Sequence, residues 1–237
     1  MSKQKHLSRL AAPKTWPIER KRSKWVAKPV PGTHSLMFSM PLQVCLTDIL
    51  KLAKNKDEVK RVLQQGFVLV NSKVRKEVRF PVGLFDTLQI QKYNKTYRML
   101  INSKGQLQLV EIPASEAHII VTKIASKTTI KGGKHQIHLS NGWMFIAESD
   151  SYKVGDAIFF DTKTNKPSKH IKLEKGCVAY VAGGEHAGSV VEIKNFEEEG
   201  VLRKKKFVLA DSEDKKLKIP VKEIFIVGKG KPEIKLL

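Results

Sequence analysis

Two cysteines, Cys45 and Cys177, are all that 237 residues contain, too few and too widely spaced for a disulfide framework or a thiolate metal cage. Each sits in an apolar pattern and reads as a buried free thiol, which fits a reducing compartment. Long apolar runs are missing too. None approaches the ~18 residues that cross a bilayer, and nothing near Met1 has the apolar core of a signal peptide. The expectation is a soluble cytoplasmic protein. The scarce charge is negative, with 23 Asp and Glu against 44 Lys and Arg and a formal net charge of +21. That imbalance points to a polyanionic partner, nucleic acid or an acidic membrane surface.

Catalytic signatures are absent as well. There is no G-x-S-x-G, no H-E-x-x-H and no dinucleotide fingerprint after a strand, and the acidic residues fall in turns at no arguable acid–base spacing. Lys131 and Lys134 flank Gly132-Gly133, but without the spacing of a phosphate-cradling loop a plain turn is favoured. His135 and His138, three apart on a strand, point to opposite faces and make no zinc site. No metal, cofactor or small-molecule substrate is expected.

What the chain has is cation density, heaviest at the start. The first 40 residues hold nine Lys and Arg against one Glu, with Pro13, Pro17, Pro29, Pro31 and Gly32 and no helical or alternating period. Such a segment forms no core alone, so residues 1–40 read as an extended basic arm, disordered until RNA orders it. Its candidate RNA contacts are Lys3, Lys5, His6, Arg9, Lys14, Arg20, Lys21, Arg22 and Lys24. Trp16 and Trp25, interleaved with them, either stack on bases or anchor the arm to protein.

From Pro41 the period becomes helical. Leu42, Cys45, Leu46, Ile49, Leu50 and Ala53 line one face, Pro41 suits the first turn, and Asp48, Lys51 and Lys54 take the other face. Asn55 caps a second helix, with Glu58 placed for a capping box, Val59, Val62 and Leu63 facing inward, and Gly66 ending it in a left-handed conformation. Phe67–Val70 and Val74–Phe80 then read as a hairpin turning at Asn71-Ser72. Lys51, Lys54, Lys60, Arg61, Lys73, Arg75, Lys76 and Arg79 would give one continuous positive surface, the footprint of phosphate contacts.

The rest is β. Leu107–Ile112, His118–Ile124, Gln136–Leu139, Trp143–Ile146 and Ala157–Phe160 are short strands broken by Gly-containing turns. Lys175–Val181, then Gly183, Gly184 and Gly188, then Val190–Ile193, is strand, glycine-rich loop, strand. Phe207–Ala210 and Glu223–Val227 add further strands. Arg203-Lys204-Lys205-Lys206, balanced by Glu197-Glu198-Glu199, is as well explained by an exposed hairpin as by an RNA contact.

These residues carry a resemblance. The two helices, Gly66-Phe67-Val68 and Val70-Asn71-Ser72-Lys73-Val74 are similar to the small RNA-binding module named after bacterial small-subunit ribosomal protein four. That module usually has Gly at the second turn position, and a positive φ at Ser72 costs about 1 kcal/mol, which leaves the turn type open. The glycine-rich tail resembles the KOW motif, with Gly188 as its fixed glycine. Lys5-His6-Leu7, Arg9, Ala11-Ala12-Pro13-Lys14 and Trp16 resemble the opening of the e-type family of small-subunit ribosomal protein four. Ile224–Gly230 matches that family's closing segment. The resemblance implies that the opening lies against ribosomal RNA. Eukaryotic members continue well beyond the closing segment, so an archaeal chain is implied.

The expectation is an α+β, multi-domain protein. Its parts are a basic extended arm at 1–40, a helix-helix-hairpin RNA-binding module at 41–103, a central β-barrel-like domain at 104–172, and an SH3-like KOW barrel at 173–237. Its expected role is to bind small-subunit ribosomal RNA as a structural constituent beside neighbouring ribosomal proteins, with no membrane and no small-molecule substrate. A ribosome-associated RNA chaperone or assembly factor is the alternative of the same class, and an RNA-modifying enzyme the alternative of another.

Overall fold

Short runs that alternate β-branched or aromatic positions with polar ones recur along the chain, and strands accordingly dominate its fold. The computed structural model describes residues 6–148, 150–199, 205–212 and 215–236, with nineteen strands and two short α-helices among them. Lys3 and Lys5, and Arg203-Lys204 of the four-cation block, lie outside the described residues. The chain divides into two units, Met1–Ile101 with Gln106–His118 and Asn102–Gly105 with Ile119–Leu237.

Unit 1 opens with an antiparallel hairpin, β1 (His6–Ser8) against β2 (Trp25–Ala27). β3 (Ser39–Pro41) pairs with β6 (Pro81–Gly83). A five-stranded antiparallel sheet runs in the order β5 (Lys73–Val74), β4 (Val68–Val70), β7 (Thr87–Ile90), β8 (Lys95–Ile101), β9 (Leu107–Ile112). It continues past residue 103 because β9 pairs back on β8, with Met99 opposite Leu109. Arg98, fully buried on β8, is held by a 2.7 Å ion pair to Glu116.

The first helix is shorter than its apolar spacing predicts. α1 (Leu42–Val44) continues as a π-helical turn over Cys45–Ile49, and Lys51 leaves the helix at a left-handed φ of 52°. The Leu52 and Ala53 N–H groups bond back to the Leu46 carbonyl, so Ala53 is buried without being helical. Pro41 precedes the helix in extended backbone instead of filling its first turn. α2 (Lys56–Gln64) follows Asn55 as expected, but Asn55 makes no side-chain cap. Glu58 instead accepts the Lys54 N–H at 2.7 Å, one residue before the capping-box position. Val59 and Leu63 are buried, and Gly66 ends the helix at φ 79°.

Asn71 and Ser72 both take positive φ, 53° and 63°, the type I′ pattern that matches strand twist. The return strand is two residues long and does not reach Phe80. After Val74 the chain folds into a turn in which Phe80 N–H bonds the Glu77 carbonyl, and the Arg75 guanidinium lies 4.5 Å over the Phe80 ring.

The arm is a correction to the sequence reading. It is neither extended nor independent of the module behind it. Trp16 is 1% exposed and donates its Nε1–H to the Ser39 carbonyl at 2.8 Å. The Thr15 carbonyl accepts the Leu107 N–H at 2.7 Å. Arg20 donates to the carbonyls of Leu10, Ala12 and Pro13. A proline-rich segment with no core of its own is ordered here by lending side chains to its neighbour's core.

Unit 2 holds two five-stranded antiparallel sheets. One runs β12 (Met144–Ala147), β11 (His135–Leu139), β10 (Ile119–Thr129), β13 (Ala157–Asp161), β14 (Lys166–Ile171). The other runs β18 (Lys215–Pro220), β17 (Lys205–Ser212), β16 (Val190–Glu199), β15 (Cys177–Val181), β19 (Ile224–Lys229). β14 and β18 have no counterpart in the sequence reading. Both are edge strands rich in Lys and containing Pro, the composition that discourages further pairing and hides a strand from an apolar-pattern search.

Lys123 ties the sheets together from β10. Its ammonium donates to the carbonyls of Val221, Lys222 and Ile224 at 3.1, 2.8 and 3.3 Å and lies 5.0 Å from the Phe225 ring centre. Burial, with Lys222 nearby, pulls its pKa down to about 8. Asp156, 2% exposed, accepts the N–H groups of Lys153 and Leu173 and pairs with His170 Nε2 at 2.8 Å. Cys45 and Cys177 are buried and free, and burial pushes the Cys45 thiol well above its ordinary pKa.

Replacing a buried indole by a methyl group forfeits its transfer free energy and leaves a cavity, so Trp16→Ala should destabilise the chain by about 3–5 kcal/mol. Urea unfolding followed by circular dichroism measures this. A loss under about 1 kcal/mol would return the arm to the disordered state its composition predicts.

Candidate nucleic-acid interface

Four segments of unit 1 line one groove of about 870 Å³. The arm contributes His6, Arg9, Arg22 and Trp25, and α1 with its π-turn contributes Val44 and Asp48. The start and outer face of α2 bring Lys54, Lys56 and Lys60, and the loop after β5 brings Lys76 and Arg79. The floor includes Val26, Ala27 and Val44, all buried.

Two acids enter this groove and both are engaged. Asp48 accepts from Arg9 at 3.3 Å and lies 4.0 Å from Arg22. Glu77 pairs with Arg79 at 3.5 Å. Among the described residues, no ion pair holds the side chains of Lys54, Lys56, Lys60 or Lys76, and all four are exposed. The groove therefore presents unneutralised cations around a partly apolar floor, an arrangement suited to a phosphate backbone.

The structure brings His6, Arg9, Arg22, Lys54, Lys60, Lys76 and Arg79 together from the residues expected to meet RNA. It separates others. Lys14 and Arg20 line a second hollow beside Pro17 and Gln106, and Lys21, Lys24, Lys51, Arg61 and Lys73 are exposed outside the main groove. Of the cations expected to form one surface over the helices and hairpin, Lys54, Lys60, Lys76 and Arg79 line this groove. Trp16 and Arg9 are corrections: each is more than nine-tenths buried, so Trp16 has no face for a base, and Arg9 is committed to Asp48 and to the Glu19 carbonyl. Arg75 is likewise turned inward onto Phe80. In the tail, Gly184 and Gly188 take positive φ, 78° and 82°, while Gly183 does not. A Cβ on Gly184 would lie 2.6 Å from Glu223.

Charge spacing along the chain singles out neither Lys56, the first residue of α2, nor Asp86, a buried carboxylate that ties the arm to the module behind it. Asp86, 2% exposed, accepts the Gly83 N–H and the Asn71 amide, each at 2.8 Å, and pairs with His34 Nε2 at 3.0 Å. Asn71 in turn accepts the Thr87 N–H at 2.9 Å. The His34 ring lies flat against the backbone of Gly83, where a Cβ would fall 2.1 Å from it. Burial pushes the His34 pKa down, but the charge of Asp86 and its hydrogen bond outweigh this and hold it above its ordinary value.

The profile described as Ribosomal family S4e matches residues 93–167, and that of the RS4NT domain matches residues 1–37. Small ribosomal subunit protein eS4 of Methanosphaera stadtmanae is 41% identical over 240 residues, covering 100% of this chain and 98% of the relative. The eS4 protein of Methanocella arvoryzae is 39% identical over 231 residues, covering 97% and 96%. The crystal structure of 30S ribosomal protein S4e from Thermoplasma acidophilum aligns with a TM-score of 0.71 at 27% identity, covering 84% of this chain and 98% of that one.

A histidine whose folded pKa is raised stabilises the fold fully below its unfolded value of about 6.5, and that contribution fades as pH rises through the folded value. The stability difference between the native chain and His34→Gln should therefore be largest near pH 6 and shrink at alkaline pH. Urea titrations across that range measure it. A difference independent of pH would mean that His34 stays neutral beside Asp86.

Proposed function

This chain belongs to the S4e family of ribosomal proteins, and on that premise we propose that it holds small-subunit ribosomal RNA in the groove between its arm and its hairpin loop. It is a structural constituent of the small ribosomal subunit, as its relatives' shared name conveys. The observation that carries the RNA site is the set of four exposed lysines, Lys54, Lys56, Lys60 and Lys76, gathered from two segments around one groove whose acids are already paired.

In this reading residues 41–103 act as the RNA-binding module, extended by the folded arm. The type I′ turn at Asn71-Ser72 supports that assignment. Residues 173–237 act as the KOW barrel, for which the left-handed Gly188 between β15 and β16 is the supporting feature. Neighbouring ribosomal proteins are the remaining partners, for which the exposed apolar side chains of Met144 and Ile146 on edge strand β12 offer a surface.

Each phosphate neutralised contributes about 0.7–0.9 to the slope of log affinity against log salt, so replacing the four lysines by alanine should flatten that slope by about 3. Filter binding to small-subunit ribosomal RNA across a salt series reads this out. Alanine at Lys131 and Lys134, on a turn of unit 2, serves as control and should leave the slope in place. An unchanged slope in the quadruple variant would move the RNA face elsewhere.

A further inference from the structure

Trp25 stands apart from the other aromatic residues of unit 1 in its company. A single exposed apolar side chain needs no ligand to explain it. Trp25, however, is 54% exposed and lines the same groove as Lys54, Lys56, Lys60 and Lys76, above the apolar floor of Val26, Ala27 and Val44. Its backbone is fixed, since it pairs with Ser8 across the β1–β2 hairpin and its carbonyl accepts the Ser23 hydroxyl at 3.2 Å. The Lys24 ammonium lies 5.3 Å from its ring centre.

We propose that Trp25 is a stacking platform for an unpaired nucleotide, whose flanking phosphates the surrounding lysines hold. The proposal rests on the RNA-binding reading of this groove and names what part of the RNA enters it. A duplex buries its base faces against one another and offers only phosphates, sugars and groove edges, so an indole gains little from it. An unpaired or bulged nucleotide offers a free π-face together with its phosphates, which is the chemistry an indole ringed by cations recognises. Trp16 has no such role, because its ring lies in the core and its N–H is already bonded to Ser39.

The test uses the full chain with Trp25→Leu and Trp25→Phe, which both keep apolar bulk while only Phe can stack. Binding is measured to a short oligouridylate and to an RNA duplex of the same length. Trp25→Leu should weaken binding to the oligouridylate about tenfold and leave duplex binding within about twofold, whereas Trp25→Phe should keep most of the single-strand affinity. Trp fluorescence of the native chain should be quenched by the oligouridylate, and most of that quenching should vanish in Trp25→Phe. Equal affinities of Trp25→Leu and native chain for the single strand, or equal losses on single strand and duplex, would overturn the proposal. The salt slope of the lysine variant reports on the groove separately. A flattened slope with no Trp25 effect would sink the stacking role alone, and an unchanged slope would sink the groove.

Discussion

The carboxylate of Asp86 is the interaction on which unit 1 depends. A buried ionised carboxylate is costly unless donors surround it. Here a backbone N–H, an amide and an imidazole meet its two oxygens. Through Asn71 it fixes the hairpin turn, through the Gly83 N–H it fixes β6, and through His34 it ties the chain leaving the arm to both. Gly83 is required by space and not by φ, because a side chain there would occupy the place of the imidazole. Removing the carboxylate would leave three polar groups unsatisfied at once, which is why its loss should cost more than any one of the contacts it makes.

Unit 2 uses the same device. Asp156 gathers the Lys153 and Leu173 N–H groups and His170, and Lys123 inserts an ammonium among three carbonyls beside Phe225. Sheets of short strands have many ends, and each end has backbone groups that pairing does not satisfy. A buried side chain with several acceptors or donors closes several such ends together.

Within unit 1 the cations divide their labour by chemistry. Arginines Arg9, Arg20, Arg75 and Arg98 turn inward, where a planar fork of donors can serve several carbonyls, a carboxylate or an aromatic face. The groove's unpaired cations are lysines, whose flexible stems let a hydrated point charge follow a phosphate backbone. A net charge of +21 therefore overstates the free positive charge at any one place on the surface, since a share of it holds the fold.

Charge, cysteine count and local punctuation determined the class of the protein by themselves. Free thiols, the second helix, the Asn71-Ser72 turn and the left-handed Gly66 all follow from composition or from spacing within a few residues, where backbone sterics act. The rest was decided by contacts between distant segments. Trp16 reads from its neighbours in sequence as either a base platform or an anchor for the arm, and it is an anchor because Ser39 and the module wait behind it. The first helix obeys its apolar period only until Lys51 leaves the helical region. The edge strands β14 and β18 are masked in the sequence by their lysines and prolines, and it is pairing with β13 and β17 that makes them strands. Which lysines stay out of ion pairs is settled only when folding has assigned Asp48 and Glu77 to arginines, and no spacing along the chain records that choice.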